Sequence, residues 1–216
     1  MQALMSVMCF GVNIIFGTVS TEAVTAYGVY YKIQQFVFFA AFGMNNAMIP
    51  IISFNYGKGD RRRIDQGIRY GMIDTLVIMG IGLLALQLFA QPLIGIFALS
   101  AETQALCLRA IRIITPGYLF VGANIAYQGI FQALGCGIRS LILSLVRLIV
   151  VALPLAWVFA QCMNAEAIIW AAFPVAEGVA LIVGLILMRQ VKGLRLERLS
   201  SPGGFMAGPE DRTAEA

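Results

Sequence analysis

Few side chains in this 216-residue chain can do chemistry at depth, and most of those are amides. Asn124, Gln128 and Gln132 recur at every fourth position. On an α-helix such positions drift by only about 40° per step, so the three share one face. Asn13, Gln34, Gln35, Asn45 and Asn46 place further amides in apolar surroundings. An amide there can hydrogen-bond a neighbouring helix, a contact worth about 0.6 kcal/mol on average in membranes. It can equally line a polar cavity, and a row of three exceeds what one helix contact needs. Both readings stay open, and Asn124, Gln128, Gln132, Asn13 and Gln35 are the candidate substrate-binding residues.

Arg147 and Glu177 are ionisable residues deep within apolar runs. At 1.5 Å per residue, Arg147 falls about 12 Å from the inner end of its run, and Glu177 about 16–18 Å from the inner end of its own. Charges at that depth are costly and face a bundle interior or a wet cavity. One reading is a buried pair that locks two helices together. The rival is a Glu177 free to take a proton or attract a cation.

Other chemistries lack their residues. The chain has no histidine, which removes imidazole acid–base work, histidine metal ligands and imidazole triads. Cys9, Cys107, Cys136 and Cys162 are far apart with no CxxC pair, so neither a zinc site nor a disulfide framework is expected. No paired aspartates at membrane depth and no GxSxG elbow are present. The chain is therefore expected not to be an enzyme, with no catalytic residue, no metal and no cofactor beyond a coupling ion.

The elements that must position these residues are membrane spans. Hydrophobic residues make up 60% of the chain and charged residues 12%, with a mean hydropathy of +0.84. Soluble domains carry about 25% charged residues. Spanning helices need about 20 mostly apolar residues, and six segments are candidates: 3–18, 24–54, 70–89, 110–134, 141–160 and 167–188. They make one six-helix transmembrane lobe over 1–198. Residues 55–69 are expected as a basic loop and 93–106 as a short interfacial one. Residues 199–216, rich in Gly, Pro and charge, are expected as a disordered tail. The first residues read as a span rather than a secretory leader.

Charge sets the orientation. Lys58, Arg61, Arg62, Arg63 and Arg69 cluster after the second span, and Arg189, Lys192, Arg195 and Arg198 follow the last. Such clusters stay in the cytoplasm. Both termini are then cytoplasmic, and the segments 18–23, 91–109 and 161–166 lie outside, each with an acidic residue. The net charge of +4 reads as topology and contact with anionic lipid, not as a nucleic-acid surface.

Several stretches resemble MATE (multidrug and toxic compound extrusion) transporters. They are Ile33-Gln34-Gln35-Phe36 with Phe42-Gly43 and Pro50-Ile51-Ile52-Ser53-Phe54-Asn55-Tyr56-Gly57 before the basic loop, Phe131-Gln132-Ala133-Leu134-Gly135 with Arg139-Ser140-Leu141, Ser144-Leu145-Val146-Arg147 with Pro154-Leu155, and Trp170-Ala171-Ala172-Phe173-Pro174 with Glu177. The resemblance covers about Met1 to Arg198. It implies an all-α polytopic membrane protein, one lobe of a twelve-helix transporter built from two six-helix lobes, here the C-terminal one.

The resemblance further implies export of cationic amphipathic compounds in exchange for H⁺ or Na⁺, by alternating access in a bacterial inner membrane. The partner would be an N-terminal lobe or a second copy. Some members carry an acidic cation-coupling residue in the helix matching 110–134. Here Asn124 and Gln128 stand there, so the resemblance carries no such site over. Two alternatives stand beside this reading: a truncated membrane protein that does not transport, and a lobe of a flippase for lipid-linked substrates.

Overall fold

The computed structural model describes residues 2–196. The tail expected at 199–216 lies outside the described residues. Among those described there is no strand. The helices are α1 (Gln2–Gly17), α2 (Thr21–Gly57), α3 (Arg61–Gly95), α4 (Ala101–Ile114), α5 (Tyr118–Ala133), α6 (Gly137–Leu145), α7 (Ala152–Ala160), α8 (Ala165–Ile168) and α9 (Ala172–Val191). Short 3₁₀ turns at Thr115–Gly117 and Ile169–Ala171 join α4 to α5 and α8 to α9. A π-helical segment, Val146–Val151, joins α6 to α7. Five continuous runs are long and apolar enough to cross a membrane: Thr21–Gly57, Arg61–Gly95, Ala101–Ala133, Gly137–Ala160 and Ala165–Arg195. The run Leu4–Gly17 is apolar but shorter.

Two stretches expected as loops are helical. Residues 61–69 form the first turns of α3 rather than a connector. Asp60 caps that helix by accepting from the Arg63 backbone N–H at 3.1 Å, and its carboxylate offsets three arginines at the positive end of the helix dipole. The break is confined to Lys58–Asp60, where Gly59 takes φ +73°. Residues 101–109 likewise belong to α4. Ser100 caps it through the Thr103 N–H at 3.3 Å, with Glu102 in the first turn. In both cases a side-chain cap outweighs the polarity that argued for a loop.

Packing puts α5 at the centre. It contacts α2, α3, α6 and α9. The most apolar window of its run is 56% buried, against 22–33% for the other four. The outside carries Phe10, Phe36, Ile81, Leu88 and Ile182, all exposed, as lipid-facing helices require.

The interior splits into two apolar clusters. One holds an aromatic group of Phe16, Tyr27, Tyr30, Phe38, Tyr118, Trp170 and Phe173. Phe16 meets the Trp170 ring edge-on at 4.8 Å, and Tyr27 stacks on Phe173 at 5.9 Å. The other gathers Met48, Ile52, Ile64, Phe131, Leu143 and Met188. Polar residues fall between them. On α2, Asn45 lies between Ala41 of the first cluster and Met48 of the second. On α5, Gln128 lies between Ile125 and Ile130, with Asn124 beside Ile125. On α9, Glu177 lies between Phe173 and Ala180. The deep polar side chains thus form a layer inside the helix bundle.

Candidate functional site: a polar layer with one ion pair

Three segments meet in that layer. Arg147 is the second residue of the π segment, and its position follows from Pro154. A proline lacks an N–H for the carbonyl four residues back and crowds it. That carbonyl belongs to Val150, and the wide π turn at Val146–Val151 relieves the conflict. The Arg147 Nε donates to Glu177 Oε1 on α9 at 2.6 Å. Glu177 Oε2 accepts from Asn124 Nδ2 on α5 at 2.8 Å, and the same amide donates to the Glu177 backbone oxygen at 3.0 Å. The Arg147 side chain is 4% exposed and that of Glu177 13%. Each carboxylate oxygen thus has a donor, which a charge at this depth demands.

A cavity of about 210 Å³ adjoins the pair. Its polar wall is Asn45, Asn46, Gln128, Gln132, Ser144 and Arg147, and its apolar wall is Met5, Phe42 and Leu148. Glu177 is not part of the wall. Close approach of α2 and α5 closes one side. Gly129 lies against Asn45 so tightly that an added Cβ would collide with Asn45 Oδ1. On the other side α6 hydrogen-bonds α5. Ser140 Oγ donates to the Gln128 backbone oxygen at 3.1 Å and accepts from Gln132 Nε2 at 3.4 Å. Ser144 Oγ donates to the Ser140 carbonyl at 2.9 Å.

The structure therefore divides the amide row. Asn124 turns to α9, while Gln128 and Gln132 face the cavity. The drift of about 40° per step is enough to move successive amides from one neighbour to the next. Arg147 and Glu177 stand together as a pair. Asn13 and Gln35 lie outside this layer's cavity. Asn13 Nδ2 donates to the Cys9 carbonyl of its own helix at 2.8 Å, and Gln35 is half-buried on α2. Two residues of the site escaped the reading of the sequence, Ser140 and Ser144. A signal was present: with Arg147 they stand at i, i+4 and i+7, one helical face. Among the described residues no group of three or more His, Cys, Asp or Glu could hold a metal. The arrangement offers donors, acceptors and one ion pair, which suits binding a polar solute rather than transforming it.

The family model described as MatE matches residues 1–158. The chain belongs to the MatE family. MatE proteins are transporters rather than enzymes, and this member is a multi-pass, all-α membrane protein. It is similar to the multidrug export protein MepA of Staphylococcus saprophyticus, 21% identical over 188 residues, which cover 87% of this chain and 41% of MepA. It is also similar to an FAD transporter of Shewanella oneidensis, 25% identical over 135 residues, 62% of this chain and 30% of the relative. Among solved structures, a multidrug resistance MATE family transporter of the MOP superfamily in its outward-facing conformation superposes with a TM-score of 0.84 at 22% identity, covering 92% of this chain and 44% of that one. An inward-facing conformation of such a transporter gives 0.82 at 22% identity, with 92% and 46% covered. The chain thus spans less than half the length of these relatives.

Proposed function

We propose that this chain is the C-terminal lobe of an efflux antiporter in a bacterial inner membrane, one that exports small amphipathic compounds in exchange for H⁺ or Na⁺. The observation that carries the reading is the polar layer: a cavity and a buried ion pair held inside a bundle whose outer surface is apolar. Transporters place substrate and ion sites near the bilayer midplane and expose them alternately by rocking one half against the other. The similarity of this fold to both outward- and inward-facing structures fits a lobe that moves as a body. The names of the MepA relatives support multidrug compounds as the cargo.

The cavity of one lobe is smaller than the roughly 300 Å³ at which drug-sized sites begin. A second lobe, on an N-terminal segment or a second copy, would complete it. The resemblance implies cationic cargo. Among the described residues Arg147 is the only charged group on this cavity's wall, so a carboxylate for a cation would come from that second lobe. Glu177 lies within the layer but off this wall, bonded to Arg147 and Asn124.

The test is dye efflux from cells lacking other multidrug pumps, for the protein as its native membrane holds it. An antibody to residues 200–216 reports whether its size is near the 23.4 kDa of this chain or about twice that. Ethidium efflux that depends on Asn124 and Gln128 supports the proposal. Retention equal to that of pump-less cells, across ethidium, rhodamine 6G and an anionic dye, refutes it in favour of a membrane protein that does not transport.

A further inference from the structure

We infer that the cavity beside Arg147 receives an oxyanion, the carboxylate, sulfonate or phosphate end of an amphipathic solute. The inference rests on the transporter reading and adds a chemical class that is opposite to the cationic cargo implied by resemblance. The first ground is the direction of the ion pair. Glu177 lies off the cavity wall, with one oxygen on Arg147 Nε and the other on Asn124 Nδ2. Arg147 is on the wall. The pair is neutral as a whole, yet it turns its positive end to the cavity and its negative end to α5 and α9. At close range in a weakly polarisable surrounding, the near end decides what the ligand feels.

The second ground is donor supply. A guanidinium carries five N–H donors, and Nε is committed to Glu177. The four on the two Nη atoms form a fork whose geometry matches carboxylate and phosphate oxygens. Among the described residues no second carboxylate pairs with Arg147. Asn45, Asn46 and Gln128 on the same wall each carry a side-chain NH₂ that can add to this supply.

The third ground is size. The 210 Å³ correspond to about seven waters at roughly 30 Å³ each. That holds a charged head group, not a whole drug. Met5, Phe42 and Leu148 line the same space and offer an adaptable apolar wall to the rest of the solute.

The experiment uses three probes of one shape and different charge: 1-naphthoate, 1-naphthamide and 1-naphthylmethylammonium. Their intrinsic fluorescence reports binding to the chain in nanodiscs, with empty nanodiscs subtracted. The expected order is naphthoate tightest and the ammonium weakest. R147Q/E177Q removes both charges together and should weaken naphthoate about tenfold or more while moving naphthamide less than about twofold. S144M leaves the pair intact and fills the cavity, so it should weaken all three probes; it carries the test if the double variant fails to fold. Tightest binding of the ammonium overturns the inference and leaves the transporter reading standing. So does naphthoate binding that neither variant changes. If none of the probes binds the wild type, the cavity is not a receptor, and dye efflux alone judges transport.

Discussion

Replacing Glu177 by Gln should destabilise the lobe more than replacing Arg147 by Gln, and replacing both should recover much of the loss. Glu177 presents two acceptor oxygens to two donors, Arg147 Nε at 2.6 Å and Asn124 Nδ2 at 2.8 Å. A glutamine has one oxygen and one NH₂, so one of those donors would face another donor. Turning the Asn124 amide over does not help, because its Nδ2 also donates to the Glu177 backbone oxygen at 3.0 Å. Arg147, only 4% exposed, would keep a charge it cannot shed. Removing one partner of a buried pair costs about 3–5 kcal/mol. That is a large part of the roughly 5–15 kcal/mol that holds a domain folded. In R147Q the survivor is a carboxyl still bonded to Asn124, and a carboxyl can neutralise itself by taking a proton. The expected loss there is smaller, about 1–3 kcal/mol. The double variant strands no charge and should lie within about 2 kcal/mol of wild type. Unfolding by SDS titration in mixed micelles gives the energies, and immunoblots of membranes give the protein level. A stable E177Q that merely stops efflux would refute the lock and make Glu177 a functional carboxylate. A double variant no better than E177Q would show that the two residues do not act as a pair.

Three further outcomes follow from the packing. Gly129→Ala drives a Cβ into Asn45 Oδ1 and should cost about 1–3 kcal/mol, with Asn45→Ala relieving most of it in the same SDS titration. Equal stability of G129A and wild type would show that α2 does not approach α5 so closely. The Tyr30 and Tyr118 hydroxyls are 3.3 Å apart in the buried aromatic cluster, so Y30F should lose about 1–3 kcal/mol by orphaning its partner, while Y30F/Y118F should lose less. Cys162 is the exposed one of the four cysteines and lies in a turn expected outside the cell, so an impermeant maleimide should label it on intact cells. Labelling only after permeabilisation would reverse the orientation.

Local composition carries much of this protein. Apolar runs of spanning length, broken by Pro, Gly and charge, foretell a helical membrane lobe because a bilayer leaves the backbone few other ways to satisfy its polar groups. The sequence also singled out Asn124, Arg147 and Glu177, because polar atoms are rare and costly at that depth. It could not place helix starts at Arg61 and Ala101, where a single capping side chain turns a charged stretch into helix. Nor could it divide the amide row or separate Asn13 from the cavity. Those outcomes depend on which helix lies opposite each face. They were decided only by Gly129 letting α2 close on α5, by the π turn before Pro154 aiming Arg147 at α9, and by Asn124 meeting Glu177 across 53 residues of chain. Contacts of that separation leave no mark in local spacing, so the ion pair and its cavity belong to the tertiary structure.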